Sequence, residues 1–192
     1  MMRFYLDFKS PAAYLAMRPT LALVHKHGLD VRWLPYLSSQ QRVLEPMAQE
    51  TRGETHRRVR ALARRDVHLM YADIQGLEMI FPEHLAQTDL ALCALLALKE
   101  SPVDFILAAF RSYWVDHADL NDADVVRELL ATSGQDPPTL DVRNYAESLA
   151  RNQLDAQERG VVDVPAYVIG EQVFIGREHL PWIEQMVIEL AA

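Results

Sequence analysis

Residues 4–16 read Phe-Tyr-Leu-Asp-Phe-Lys-Ser-Pro-Ala-Ala-Tyr-Leu-Ala. The stretch changes character at Ser10. Before it, residues 3–8 are short, aromatic and β-prone, and read as a strand. Ser10-Pro11 then reads as a helix start. Serine is a favoured N-cap, and proline at the first helical position lacks only an N–H that would have no partner there. The helix carries Tyr14, Leu15, Leu21 and Val24 and should stop at Gly28, with a kink at Pro19. Residues 30–37 (Asp-Val-Arg-Trp-Leu-Pro-Tyr-Leu) read as a second strand, and Pro35 favours its edge or its end. The first 37 residues are therefore a β-α-β unit.

Outward from this unit the period changes. From Ser38 to Glu158 the pattern is helical throughout, with helices expected over about 51–73, 86–99, 102–115, 122–133 and 141–158. Breaks are expected at Gly76 to Pro82, Ser101-Pro102, Ala118 to Asp122 and Gly134 to Pro138. Asn121 is the expected cap of the fourth of these helices. After Gly160 the chain turns β-prone again. Residues 161–169 and 172–175 read as strands joined by a tight turn at Gly170-Glu171. A last amphipathic helix is expected over 178–190, with Leu180, Ile183, Val187 and Leu190 on one face. The expectation is an α/β fold with a core order β-α-β … β-β-α. Residues 1–37 and 159–192 supply this core, and 38–158 form a large all-helical insertion.

Composition narrows the function classes. Half of the 192 residues are hydrophobic and 24% are charged, which excludes a disordered or collagen-like chain. A chain of this length buries about 70% of its unfolded surface and needs no staple. The single cysteine excludes an internal disulfide, a Cys-x-x-Cys redox pair and a cysteine-based zinc site. The net charge of -8, from 19 basic and 27 acidic residues, argues against general binding to nucleic acid or to anionic membranes. The first residues show no signal-peptide pattern and no apolar run reaches spanning length, so the expected location is the cytoplasm. No histidine pair has metal-ligand spacing, and no P-loop, G-x-G-x-x-G or G-x-S-x-G is present.

The quoted stretch resembles the opening of the DsbA-like 2-hydroxychromene-2-carboxylate isomerases, relatives of the kappa-class glutathione transferases. Gly160-Val161-Val162-Asp163-Val164-Pro165-Ala166-Tyr167 and Phe174-Ile175-Gly176-Arg177-Glu178-His179-Leu180 resemble two further segments of that family. Tyr113-Trp114 and Asp119-Leu120 stand where it has an aromatic pair and an acidic-aliphatic pair. The resemblance implies a thioredoxin-like core. It also implies glutathione as a cofactor that is not consumed, cis–trans isomerisation of an unsaturated aromatic keto acid, and a homodimer. The chain departs from the pattern at Ala12, where the family usually has an aromatic residue, and at Ile175, where it often has tryptophan.

Each motif has its own physics. Ser10 and Ala13 stand where thioredoxin-like redox proteins carry their two cysteines, so disulfide exchange is disfavoured. A hydroxyl at a helix N-terminus can hold a thiolate, and it can equally be a plain N-cap. Pro165 inside a β-prone run reads as an edge position or a cis peptide, and the resemblance implies cis. By resemblance, the Val164 backbone would then pair with glutathione beside Ser10, and Arg177 and Glu178 would meet its γ-glutamyl end. Glu178 also suits the first turn of a helix.

Residues 52–65 hold six arginines and one acid, Glu54. They are a solvated face or an anion site, in which Arg57 would share a helical face with Arg60 or Arg64. Pro11, Arg57, Arg60, Arg64 and Trp114 are the candidate lining for an aromatic carboxylate. Asp116-His117, next to Trp114, could line a pocket. Cys93, in an apolar helix, reads as a small buried hydrophobe. The rival readings are a kappa-like transferase, which forms a stable glutathione conjugate, and a non-catalytic thioredoxin-like binding protein.

Overall fold

The computed structural model describes residues 1–39, 50–83, 86–98, 102–134 and 142–191. Residue 101 and residues 135–138 of two expected breaks lie outside the described residues, as do residues 99 and 141 of two expected helices. The elements run β1 (Met2–Leu6), α1 (Pro11–His27), β2 (Val31–Pro35), α2 (Arg52–Gln75), α3 (Asp89–Ala97), α4 (Val103–Trp114), α5 (Ala123–Thr132), α6 (Val142–Glu158), β3 (Ala166–Ile169) and β4 (Gln172–Ile175). A 3-10 turn (Arg177–His179) then leads into α7 (Leu180–Ala191).

One sheet joins the two ends of the chain, in the order β2-β1-β3-β4. β1 and β2 are parallel, with Phe4 opposite Trp33, and α1 is their crossover. β3 runs antiparallel to β1, with Phe4 opposite Tyr167, and β4 runs antiparallel to β3. The third strand begins at Ala166 rather than 161. The preceding residues bond locally instead: Val161 N–H donates to Ala156 O at 2.9 Å and Val164 N–H to the Asp163 carboxylate at 2.8 Å. Between β2 and β3, every element among the described residues is helical.

The sheet buries both faces. One carries Phe4 and Leu6 into a large core shared with α1, α3 and α4, and the other carries Tyr5 into a smaller one with Leu34, Ala156 and Val164. Cys93 lies in the large core at 2% exposure, as its apolar helix implies.

α1 starts and stops where the sequence places it. Ser10 caps it by accepting the Ala13 N–H at 3.2 Å, and Gly28 ends it in the left-handed conformation, φ 60°. The helix runs through Pro19. Proline has no N–H to give to Leu15 O, four residues back. The Gln75 side-chain amide donates to that carbonyl instead, at 3.1 Å, and Arg18 donates to Gln75 O in return. The vacancy left by Pro19 thus docks the end of α2 on α1.

Asn121 is not the cap of α5. Asp122 is, accepting from the Asp124 and Val125 N–H groups. Asn121 instead accepts the Leu90 N–H at the start of α3, at 2.9 Å. It substitutes there for Thr88, whose hydroxyl is engaged elsewhere.

That engagement is with Asp7, a fully buried carboxylate at the end of β1. Oδ2 accepts from Ser38 N–H at 2.9 Å and Ser38 Oγ–H at 2.8 Å. Oδ1 accepts from Thr88 Oγ1–H at 2.7 Å and Lys9 N–H at 3.3 Å. Three distant segments therefore meet at one carboxylate. The Asp7→Ala variant leaves these donors without their acceptor and the Lys9 ammonium without its neighbouring negative charge. It should lose about 3–5 kcal/mol, read as a lower urea midpoint. A loss below about 1 kcal/mol would show that water satisfies the cluster unaided.

Candidate functional site

The site starts with the loop Asp7-Phe8-Lys9-Ser10. Ser10 N–H donates to Asp7 O at 3.0 Å, closing a tight turn. The Trp114 indole N–H donates to Phe8 O at 2.9 Å. Trp114 is fully buried, against Phe81 and Tyr113. It therefore holds the loop from within the core, and the expectation that it lines a substrate pocket does not suit so fully buried a side chain. The aromatic pair was visible in the sequence. Its inward direction comes from the register of α4, which buries Phe105, Phe110, Tyr113 and Trp114 together.

Ser10 Oγ–H donates to Val164 O at 3.4 Å, across 154 positions of sequence. The Val164–Pro165 peptide is cis, as the resemblance implied. The expected pairing surface is altered in one respect. Val164 N–H is already bonded to the Asp163 carboxylate and its C=O to Ser10. Only the second lone pair of that carbonyl is open, so a peptide pairing on both groups must displace Asp163.

Gly176 N–H donates to Pro165 O at 2.8 Å and so brings the 3-10 turn to the same place. Gly176 has φ 105°, a conformation that favours glycine, and the Glu178 carboxylate folds back against its Cα. Glu178 is exposed and Arg177 half-buried. The Arg177 guanidinium sits over the Tyr71 ring at 3.8 Å, a cation–π contact that ties the turn to α2. The Tyr167 hydroxyl shares a hydrogen bond with Thr20 at 2.8 Å, and burial pushes its pKa up.

The arginine run divides by helical face. Arg58 makes a two-pronged pair with Glu50 through Nε at 2.8 Å and Nη2 at 2.9 Å. Arg65 lies over the Phe81 ring at 5.0 Å. Arg57, Arg60 and Arg64 are exposed. Of these, Arg64 is one of two arginines, with Arg177, whose charges act on His68. Burial first, and then these two charges, push the His68 imidazole below its usual range.

His68 and Tyr71 carried no sequence signal beyond their helical spacing from Arg64. Asp7 and Lys9 did carry one: two charges flanking Phe8 at the end of an apolar strand, on a segment that must be buried. Of the Asp116-His117 pair, His117 lines a cavity of about 520 Å³ with Phe81, Glu83 and Tyr113, and Asp116 does not. None of Ser10, Pro165 and Arg177 lines that cavity. Among the described residues no cluster of three or more His, Cys, Asp or Glu suits a metal ion, and no helix is long and apolar enough to cross a membrane.

A family model, the DSBA-like thioredoxin domain, matches residues 1–187. The chain belongs to this family. One curated relative of this DsbA-like chain is a 2-hydroxychromene-2-carboxylate isomerase from Sphingobium xenophagum, 25% identical over 97% of each chain. Among solved structures, a 2-hydroxychromene-2-carboxylate isomerase superposes with a TM-score of 0.77 at 17% identity, covering 99% of this chain and 95% of that one. The cytosolic disulfide reductase DsbM from Pseudomonas aeruginosa, solved with GSH, superposes at 0.66 and 19% identity, covering 99% and 98%. The fold is therefore DsbA-like thioredoxin with a helical insertion.

The electrostatics make two expectations measurable. His68 should titrate below pH 6.5 by NMR, and Arg177→Gln should raise its midpoint. Because the unfolded chain takes up this proton first, its contribution to stability is lost as pH falls below about 6.5. A midpoint at or above 6.5 would remove the site's charge from around His68. Burial also pushes the Cys93 thiol up to about 11. Iodoacetamide at pH 8 should leave the native protein unlabelled and alkylate it in guanidinium. Rapid native labelling would place Cys93 outside the core.

Proposed function

We propose that this chain is a glutathione-dependent cis–trans isomerase of an unsaturated aromatic keto acid, like the 2-hydroxychromene-2-carboxylate isomerases. The observation that carries the reading is Ser10. It caps α1, lies 3.4 Å from Val164 O beside the cis proline, and has alanine at position 13 where a resolving cysteine would stand. A disulfide exchanger needs a thiol there. An enzyme that borrows its thiol needs a place to hold one.

The residues fit that group. Ser10 Oγ–H turns from Val164 O, a long bond and a weak one, to donate to a thiolate. The Ala12 N–H has no acceptor among the described residues, and the positive end of the 17-residue α1 favours the anion. Arg177 is the group for the γ-glutamyl carboxylate. Glutathione, when bound, supplies a nucleophile that adds to the conjugated carbon and leaves again, so rotation occurs about a single bond. The chain's own part is to keep the sulfur ionised and aimed. The proposed partners are glutathione and a small aromatic carboxylate, in a cytoplasmic homodimer.

The test is calorimetry with glutathione followed by turnover of the keto acid, on the wild type and on Ser10→Ala. Wild type should bind glutathione and return the isomer. Ser10→Ala should lose turnover by ~100-fold or more, since one preorganised donor to a reacting anion is worth about that much. Undiminished turnover in Ser10→Ala would sink the role of Ser10. A stable glutathione adduct as product would make the chain a kappa-like transferase. No heat with glutathione would leave a non-catalytic binding protein.

A further inference from the structure

Lys9 is a lysine where a lysine is costly. Its side chain is 10% exposed, and among the described residues its only ion-pair partner is Asp7, whose Oδ2 is 3.6 Å from Nζ. That is too far for a hydrogen bond. Nor does Asp7 need it. A carboxylate offers about four acceptor sites, and Asp7 fills them with Ser38 N–H, Ser38 Oγ–H, Thr88 Oγ1–H and Lys9 N–H. Among the described residues the ammonium donates no hydrogen bond at all. A nine-tenths-buried cation with three idle donors is strongly disfavoured unless something else accepts from them.

Its position says what that is. Asp7 follows β1 and Ser38 follows β2, so Nζ lies off the carboxyl ends of two parallel strands, where open α/β sheets bind ligands. Lys9 immediately precedes Ser10 and the N-terminus of α1. The nearest charge, Asp7, is locked by its neutral donors and cannot swing over to pair more closely.

We propose that the Lys9 ammonium is the docking point for a carboxylate of the bound small molecule. Two carboxylates qualify: the glycyl carboxylate of glutathione and that of the aromatic keto acid. Naming these ligands rests on the function proposed above, whereas the anion site itself rests on Lys9 and Asp7. Lys9 is then a specificity-determining residue. It selects acids over their esters, while Ser10 acts on the sulfur.

The experiment compares acid with ester. Binding of glutathione and its glycyl monoethyl ester, and of benzylidenepyruvate and its methyl ester, is measured by calorimetry on the wild type and on Lys9→Met. Wild type should prefer one of the two acids over its ester by ~10-fold or more, as a charge-assisted hydrogen bond implies. Lys9→Met should bring that ratio close to one and leave the ester affinity and the melting temperature little changed, because Asp7 keeps its four donors. The pair that discriminates identifies the carboxylate. An acid preference that survives in Lys9→Met, or no preference for either acid in the wild type, overturns the proposal. If glutathione fails to bind while benzylidenepyruvate shows a Lys9-dependent preference, the anion site stands and the glutathione reading falls.

Discussion

A carboxylate removed from water must be given donors, and Asp7 takes its donors from three places in the chain. Ser38 comes from beyond β2, Thr88 from the start of α3, and Lys9 from the loop itself. Desolvating the charge makes these bonds obligatory rather than incremental. The loop between β1 and α1 is therefore held at its origin by Asp7 and at its middle by the Trp114 bond to Phe8 O. Ser10, at the far end of this loop, is placed against Val164. The candidate site is set by polar groups that the sheet and the helices contribute jointly.

The helices between β2 and β3 join the core through groups that local structure left unpaired. Pro19 deprives Leu15 O of its partner, and Gln75 of α2 supplies one. Thr88 gives its hydroxyl to Asp7, so Asn121 supplies the missing cap for α3. Each of these exchanges uses a side chain from elsewhere in the chain to satisfy a helix, and each fixes a relative position. Arg177 adds a link from the C-terminal segment to Tyr71 of α2. The neighbourhood of Ser10 and cis-Pro165 is in this way bounded by the first, middle and last parts of the chain.

Much of this was legible along the sequence because local rules governed it. Ser10 and Gly28 bound α1 by capping chemistry alone. The hairpin of β3 and β4 was signalled by Gly170 and the β-prone runs on either side, although the third strand starts five residues later than expected because Asp163 and Ala156 take its first N–H groups. The cap of α5 was misplaced by one residue. Asn121 and Asp122 are equivalent as caps, and only the approach of α3 decides which is free for the task. Trp114 was recognised as part of an aromatic pair, but its direction depends on the register of α4 against the core.

By itself, the sequence determined the order of strands and helices along the chain, a single cysteine that cannot form an internal disulfide, and a serine at a helix start. Each of these is a matter of residue type and short spacing. The tertiary structure decided which arginine of the 52–65 run pairs with Glu50 and which lies over Phe81, that Trp114 supports the loop from inside, and that Lys9 holds a buried ammonium beside a saturated carboxylate. These depend on contacts between residues tens of positions apart. Helical periodicity names the faces of a helix, but only the assembled core says what each face meets.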